Sequence, residues 1–193
     1  MKNLVAELRA SIAATLLLAV LCCGIYPVAV WAVGRVLFSG EANGSLVKVD
    51  GKVAGSSLLA QGFTAPKYFH PRPSAAGQGY DAASSSGTNL GPTSKKLIED
   101  VKKRVADYRT ENGLPPDARV PADAVTSSAS GLDPHISVRN ALLQAARVSR
   151  ARGIDEKEVL AKVEAHTEGR TFGLLGEPRV NVLTLNLSLD GKM

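Results

Sequence analysis

The sequence predicts a single N-terminal transmembrane helix plus a soluble α+β domain made of short β elements, about three helices and a C-terminal strand. Three observations carry this expectation. An uncharged run from Ala10 to Gly34 lies between Arg9 and Arg35. The pair Asp50-Gly51 sits between short alternating segments, as in a β-hairpin. Three stretches with apolar residues every three or four positions then precede an alternating tail, "RVNVLTLNLSLD". With 193 residues, 45% of them hydrophobic, the chain holds enough for one modest core and not for two.

The apolar run comes first. As a helix it rises about 37 Å, sufficient to cross a hydrocarbon core with some tilt. A Lys or Asp at its centre would cost about 2.5–3.5 kcal/mol on insertion, and the run contains neither. Tyr26 and Trp31 lie toward its C-terminal end, where amphipathic rings favour headgroup depth. Val30, Trp31 and Ala32 after Pro27 resemble a signal-peptidase site, but the run exceeds the length of a signal core, which favours a retained anchor. Leu21 before Cys22 does not fit a lipoprotein site. In the short flank, Lys2 and Arg9 against Glu7 orient the N-terminus inward. The expected division is a cytoplasmic tail over 1–10, a transmembrane anchor over 11–34 and an extracytoplasmic domain over 35–193. Ala13, Ala14, Ala19 and Gly24 offer small surfaces for packing against partner spans, with membrane lipid around the rest. Both cysteines, Cys22 and Cys23, fall in the run, so no disulfide can staple the soluble part.

The formal charge of +5 is spread thinly. Setting aside Lys2, Arg9, Arg35 and Glu7 leaves 20 basic against 17 acidic side chains. Lys95, Lys96, Lys102, Lys103 and Arg104 alternate with Glu99, Asp100 and Asp107, the pattern of a solvated helix face. No nucleic-acid partner is expected.

Along the soluble part, "SLVKVDGKVAGS" alternates at Val47, Val49 and Val53 around a turn pair that tolerates positive φ. The stretch from Pro71 to Pro92, rich in Gly, Ser, Ala and Pro, has no periodicity and reads as a long loop. Ser94 can cap a helix carrying Leu97, Ile98, Val101, Val105 and Tyr108, stopped at Asn112-Gly113. A Pro-rich connection, "LPPDARVPADAV", leads to a second helix over Val138–Arg152, with Ser137 as N-cap, Gly153 as stop, and Val138, Ala141, Leu142, Ala145 and Val148 apolar. A third opens with Asp155 and Glu158 spaced as a capping box and carries Val159, Leu160 and Val163. In the tail, Leu183, Leu185, Leu187 and Leu189 alternate with Val182, Thr184, Asn186 and Ser188, which predicts a strand with one buried face.

The octet "SGLDPHIS", Ser130 to Ser137, holds the inventory of a hydrolytic triad. A triad needs convergence in space, and its acid usually comes from far away in sequence, so nearness along the chain is weak support. Asp133 before Pro134 suits a turn, Ser137 suits a cap, and no G-x-S-x-G elbow presents a strained serine. No catalytic residue is therefore assigned. His70, His135 and His166 show no i, i+4 pair, and no metal site is expected. "GLLGEP" lacks the Lys and hydroxyl of a phosphate-binding loop. The alternatives left open are a membrane-anchored extracytoplasmic serine hydrolase, using Ser130 or Ser137 with His135, and an envelope binding module.

Five motifs stand in order behind the anchor: "KYFHPRPSA", "ASSSGTNLGPT", "SASGLDPHIS", "ARVSRARG" and "GEPRVNVLTLNLSLD". Together they resemble the KdpC family, the C subunits of bacterial Kdp-type potassium-transporting P-type ATPases. The resemblance implies a single-pass protein of the bacterial inner membrane, without its own catalytic motif. Its implied partners are a channel-like potassium-binding subunit, a P-type ATP-hydrolysing subunit and a small fourth subunit, in a complex that takes up potassium at high affinity. It further implies a role in assembly and as a catalytic chaperone that raises the ATP affinity of the hydrolysing subunit. No cofactor is expected to be tightly bound, and ATP would be met only through the complex, because an external domain cannot touch cytoplasmic nucleotide. No nucleotide-binding residue is assigned. For a partner interface, aromatic and Arg anchors single out Tyr68, Phe69 and Arg72, with Asn89 and Asp133 beside them. Tyr68 and Phe69 have a competing role in closing the core, and Asn89 and Asp133 in fixing turns.

Overall fold

The computed structural model describes residues 2–192. The chain divides into two units, Met1–Ser45 and Leu46–Met193.

The first unit is one long helix and a short one. Helix α1 (Lys2–Ala19) passes through a π-helical segment, Val20–Ile25, into α2 (Tyr26–Leu37). The helical stretch Asn3–Leu37 is long and apolar enough to cross a membrane. The π segment has a local cause in Pro27, which lacks an N–H and whose ring clashes with the carbonyl one α-turn earlier. Widening the turn before it relieves that clash, and the Tyr26 N–H accordingly reaches back to the Leu21 carbonyl. Helix α3 (Ser39–Ala42) follows, and Arg35 donates to the Asn43 side chain beside it.

In the second unit, β1 (Leu46–Val49) and β2 (Lys52–Ser56) form the expected antiparallel hairpin. Its turn residues Asp50 and Gly51 have φ of 51° and 75°, as a type I′ turn demands. Residues 57–94 contain no helix or strand, a stretch that begins well before the loop expected over Pro71–Pro92. Helix α4 (Lys95–Asn112) begins where Ser94 accepts from the Leu97 N–H and ends at Gly113, φ 65°. Helix α5 (Ala122–Val125) is a single turn after Pro121, inside the Pro-rich connection. Helix α6 (Val138–Arg152) has the predicted ends, with the Ser137 hydroxyl accepting from the Asn140 N–H and Gly153 at φ 68°. Helix α7 (Glu156–Ala165) is capped by Asp155 through the N–H of Lys157 rather than that of Glu158.

Strands β3 (His135–Ser137), β4 (Thr167–Glu168) and β5 (Arg179–Asn181) form an antiparallel sheet in the order β3-β5-β4. The main core gathers Phe69, Ile136 of β3, Ala141, Ala145 and Val148 of α6, and Val159 and Val163 of α7, together with Val180, Val182 and Leu185. A smaller cluster joins Tyr108 of α4 to Ala124 and Val125. Leu142, expected inside, is instead 47% exposed.

The tail departs from the prediction. It forms a strand only over Arg179–Asn181, and Val182–Leu189 is a helix, α8. The Asn181 side chain caps it by accepting from the Thr184 N–H at 3.2 Å. Leucine favours helix as readily as it suits a half-buried strand. Burial explains why the alternation misleads. Val182, Leu183, Leu185 and Leu187 are buried, but so are Asn186 and Ser188 between them. A helix enclosed on nearly all sides has no polar stripe to display a 3.6-residue period.

Both strand-to-helix junctions of the sheet dispense with a loop. Ser137 ends β3 and caps α6, while Asn181 ends β5 and caps α8. Because β3 and β5 pair His135 with Asn181 and Ser137 with Arg179, the sheet sets the departure of both helices.

Candidate functional site

The segment 66–70 leaves a tight turn, in which the Tyr68 N–H donates to the Ala65 carbonyl at 3.0 Å, and side chains hold its backbone. The Phe69 N–H donates to Asn186 Oδ1 at 2.8 Å and its carbonyl accepts from Asn186 Nδ2 at 3.0 Å. One residue on, the His70 N–H donates to Gln144 Oε1 at 2.7 Å and its carbonyl accepts from Gln144 Nε2 at 3.2 Å. Two carboxamides thus do for this strap what neighbouring strands do in a sheet. Arg147 adds bonds from Nη1 to the carbonyls of Pro66 and Tyr68, from Nη2 to Gln144 and from Nε to Asn112. At 6% exposure, its charge stays buried because these oxygens replace water. Burial nonetheless lowers its pKa, with Glu111 opposing.

The network continues under α6. Gln144 donates to Asn140 Oδ1, which also accepts from the Tyr108 hydroxyl at 2.8 Å. Asn140 and Ser137 both donate to Asp123. Burial, with the Asp123 charge adding to it, pushes the Tyr108 phenol well above its ordinary value, so the hydroxyl remains a donor. A cleft of about 390 Å³ opens beside this cradle, lined by His70, Pro71, Tyr80, Tyr108, Glu111 and Gln144 among others. At its wall His70 Nδ1 lies 2.8 Å from Glu111, and Nε2 lies 3.1 Å from the Ala65 carbonyl. The His70 hydrogen bond holds the Glu111 carboxyl below the ordinary range, against the opposite pull of burial.

The sequence-selected interface residues separate into groups. Phe69 is fully buried in the chain's own core and presents no surface to a partner. Tyr68 donates to Asp190 at 3.1 Å, with its ring 5.2 Å from that of Phe63 and 5.3 Å from the Arg152 guanidinium. Asn89 is exposed, with φ 52°. Arg72 and Asp133 meet, with Arg72 Nη1 donating to Asp133 Oδ2 at 2.8 Å. Burial disfavours the Asp133 carboxylate, yet the His135 ring and backbone N–H and the Arg72 guanidinium outweigh it and hold its carboxyl at about 2. This pair lies in a shallow groove with His135, Glu177, Pro178 and Arg179. Ala13, Ala14 and Ala19 are exposed on the apolar helix, and Gly24 is half-buried in the π segment.

The octet does not assemble as a triad. Ser137 is committed to Asp123 and to its cap, and the Ser130 hydroxyl accepts from the Leu132 N–H at 3.1 Å. The His135 ring lies 3.6 Å from Asp133 and 3.7 Å from Glu168. Among the described residues neither serine is hydrogen-bonded to it, and no group of three potential metal ligands occurs. The residues that sequence reasoning missed are Asn140, Gln144, Arg147 and Asn186. Asn140, Gln144 and Arg147 recur at spacings of four and three, which marks a polar stripe on α6 without naming the backbone it holds, and Asn186 has no such signal.

Comparison with known proteins fits this architecture. Residues 8–191 match the family model described as KdpC, the c chain of the K+-transporting ATPase. The chain is 59% identical over 166 residues to the potassium-transporting ATPase KdpC subunit of Mycobacterium tuberculosis (strain ATCC 25618 / H37Rv), covering 86% of this chain and 88% of that one. It is 61% identical over 169 residues to the KdpC subunit of Myxococcus xanthus, covering 86% and 79%. With that of Koribacter versatilis (strain Ellin345) it shares 49% identity over 191 residues, covering 98% and 95%. A membrane-length helix, a soluble unit of helices and short strands, and a match along almost the whole sequence together assign the chain to the KdpC family of K+-transporting ATPase subunits.

Proposed function

We propose that the chain is a non-catalytic accessory subunit of a high-affinity, ATP-driven potassium-uptake complex in the bacterial inner membrane. It assists assembly and acts as a catalytic chaperone that raises the ATP affinity of the ATP-hydrolysing subunit. Its partners are that subunit, a channel-like potassium-binding subunit and a small fourth subunit. One observation carries the non-catalytic reading. Gln144, Arg147, Asn140, Ser137 and Asp123 spend their polar groups on one another and on the strap, which suits a rigid body for docking better than a reacting centre.

The N-terminus faces the cytoplasm and the soluble unit faces outward, as the flanking Lys2 and Arg9 favour. In that orientation the domain covers the external mouth of the potassium-binding subunit. Its effect on ATP passes through membrane helices as a coupling between distant sites. Tyr68, Arg72, Asn89 and Asp133 form the partner surface, and Ala13, Ala14, Ala19 and Gly24 pack against partner spans.

Two measurements test this reading. Potassium-stimulated ATPase activity of the purified complex should fall, and its ATP requirement rise, when this chain is left out; activity and ATP dependence unchanged by its loss would sink the chaperone role. For orientation, exposed Ser84 replaced by Cys should react with an impermeant thiol reagent in intact cells. Labelling only in inverted vesicles would reverse the topology.

A further inference from the structure

The most exposed apolar side chains of the soluble unit lie outside both the strap and the cleft. Between β4 and β5 the chain makes a tight finger. The Thr171 N–H donates to the Leu175 carbonyl at 2.9 Å, and the Gly173 N–H to that of Arg170 at 2.9 Å. At its base Arg170 forks both carboxylate oxygens of Glu177, at 2.9 and 2.8 Å. Arg179 Nε donates to Glu168 at 3.0 Å. The backbone of the tip is therefore fixed, yet Phe172, Leu174 and Leu175 are 90%, 79% and 63% exposed. Phe172 also sits at φ 55°, where a bulky residue is an outlier and glycine would sit freely. Such a residue gains nothing from packing in its own chain, and strain kept at a surface points to use by something else.

We propose that the tip from Phe172 to Leu175 is an insertion finger that docks in an apolar pocket of another polypeptide of the potassium-transporting ATPase. This rests on the subunit reading above. A narrow projecting tip needs a concave receptor, because tip against tip would bury too little for a stable contact. Arg170 and Arg179 are each matched by a carboxylate, so the finger's base carries no unpaired cation to draw it to anionic headgroups. That neutrality favours an apolar protein pocket with a polar rim over a bilayer surface. The finger also continues the groove of Arg72 and Asp133 through Glu177 and Arg179, so one surface holds an apolar tip beside a charged patch. A second copy would have to receive the tip head-to-tail, as in the apolar groove of Val138, Leu142 and Leu160. Such head-to-tail contacts propagate into open filaments unless their rotation closes a ring.

The test places p-benzoylphenylalanine at position 172 of the full chain, co-expressed with the whole complex and irradiated. The expected product is an adduct with another subunit. An adduct with lipid alone, an adduct with a second copy, or none from an assembled complex overturns the finger while leaving the subunit reading intact. A companion variant, Phe172→Gly with Leu174→Ser, should reduce recovery of the complex through this chain by about tenfold or more. Its thermal unfolding should be unchanged or raised, since glycine suits the backbone there. Undiminished recovery overturns the proposal. If the unaltered chain fails to copurify with the ATPase, the subunit reading falls and the finger with it.

Discussion

Gln144 and His70 stand 74 residues apart in sequence and exchange two hydrogen bonds, the side-chain amide of one reading the backbone of the other at 2.7 and 3.2 Å. The pair ties helix α6 to the strap, and Gln144 also accepts from Arg147 and donates to Asn140. Gln144→Leu keeps the approximate volume but strips partners from buried polar groups. It should cost about 2–4 kcal/mol of stability, read as a lowered unfolding midpoint of the full chain in detergent.

Asp133 gives a pH signature. Its carboxyl is held at about 2 in the folded chain, against an ordinary 3.8. The folded state therefore prefers the charged form. Its contribution is complete above pH 3.8 and drains away as pH falls from there toward 2. Asp133→Asn should flatten this part of the acid limb in a series of thermal unfolding curves.

The strand-to-helix junctions predict a matched pair of cap losses. Ser137→Ala removes the acceptor for the Asn140 N–H, and Asn181→Ala removes the acceptor for that of Thr184. Each should cost about 1–2 kcal/mol. Ser137→Ala also deprives Asp123 of a donor. Fluorophosphonate labelling of the unaltered chain at Ser137 would contradict its role as a cap.

Two glycines with the same backbone angle separate strain from crowding. Gly131 and Gly153 both have φ of 68°. At Gly153 an added Cβ meets nothing within 4 Å, so Gly153→Ala carries the backbone term alone, about 1–2 kcal/mol. At Gly131 the same atom would lie 2.7 Å from the Ala76 nitrogen and the Ser86 carbonyl oxygen. Gly131→Ala should therefore cost about 1–3 kcal/mol more than its counterpart, measured by denaturant unfolding of both variants.

Elements specified by local chemistry were legible in the sequence. Ser94 and Gly113, Ser137 and Gly153, and Asp50-Gly51 act within a few residues of themselves, and each turned up at its expected position. The tail was misread because Val182–Leu189 is buried on nearly every side, which removes the contrast that periodicity needs. The strap was hidden for another reason. The partners of Phe69 and His70 are Asn186 and Gln144, and nothing local marks a carboxamide as the acceptor for a distant backbone. Of the selected site residues, Arg72 and Asp133 came together, Asn89 is exposed with a left-handed backbone, and Phe69 went to the core.

The strap sets an order of events during synthesis. Tyr68 meets Asp190, a partner 122 residues later, and Phe69 meets Asn186, 117 residues later. Tyr68 and Phe69 therefore cannot meet these partners until Asn186 and Asp190 have been added. At about 5–20 residues per second, the wait is roughly 6–24 s. Gln144 and Arg147 can reach His70, Pro66 and Tyr68 earlier in that interval, while the Phe69 backbone still lacks its carboxamide partner. Whatever keeps that nascent segment from pairing elsewhere is part of how this chain reaches its fold.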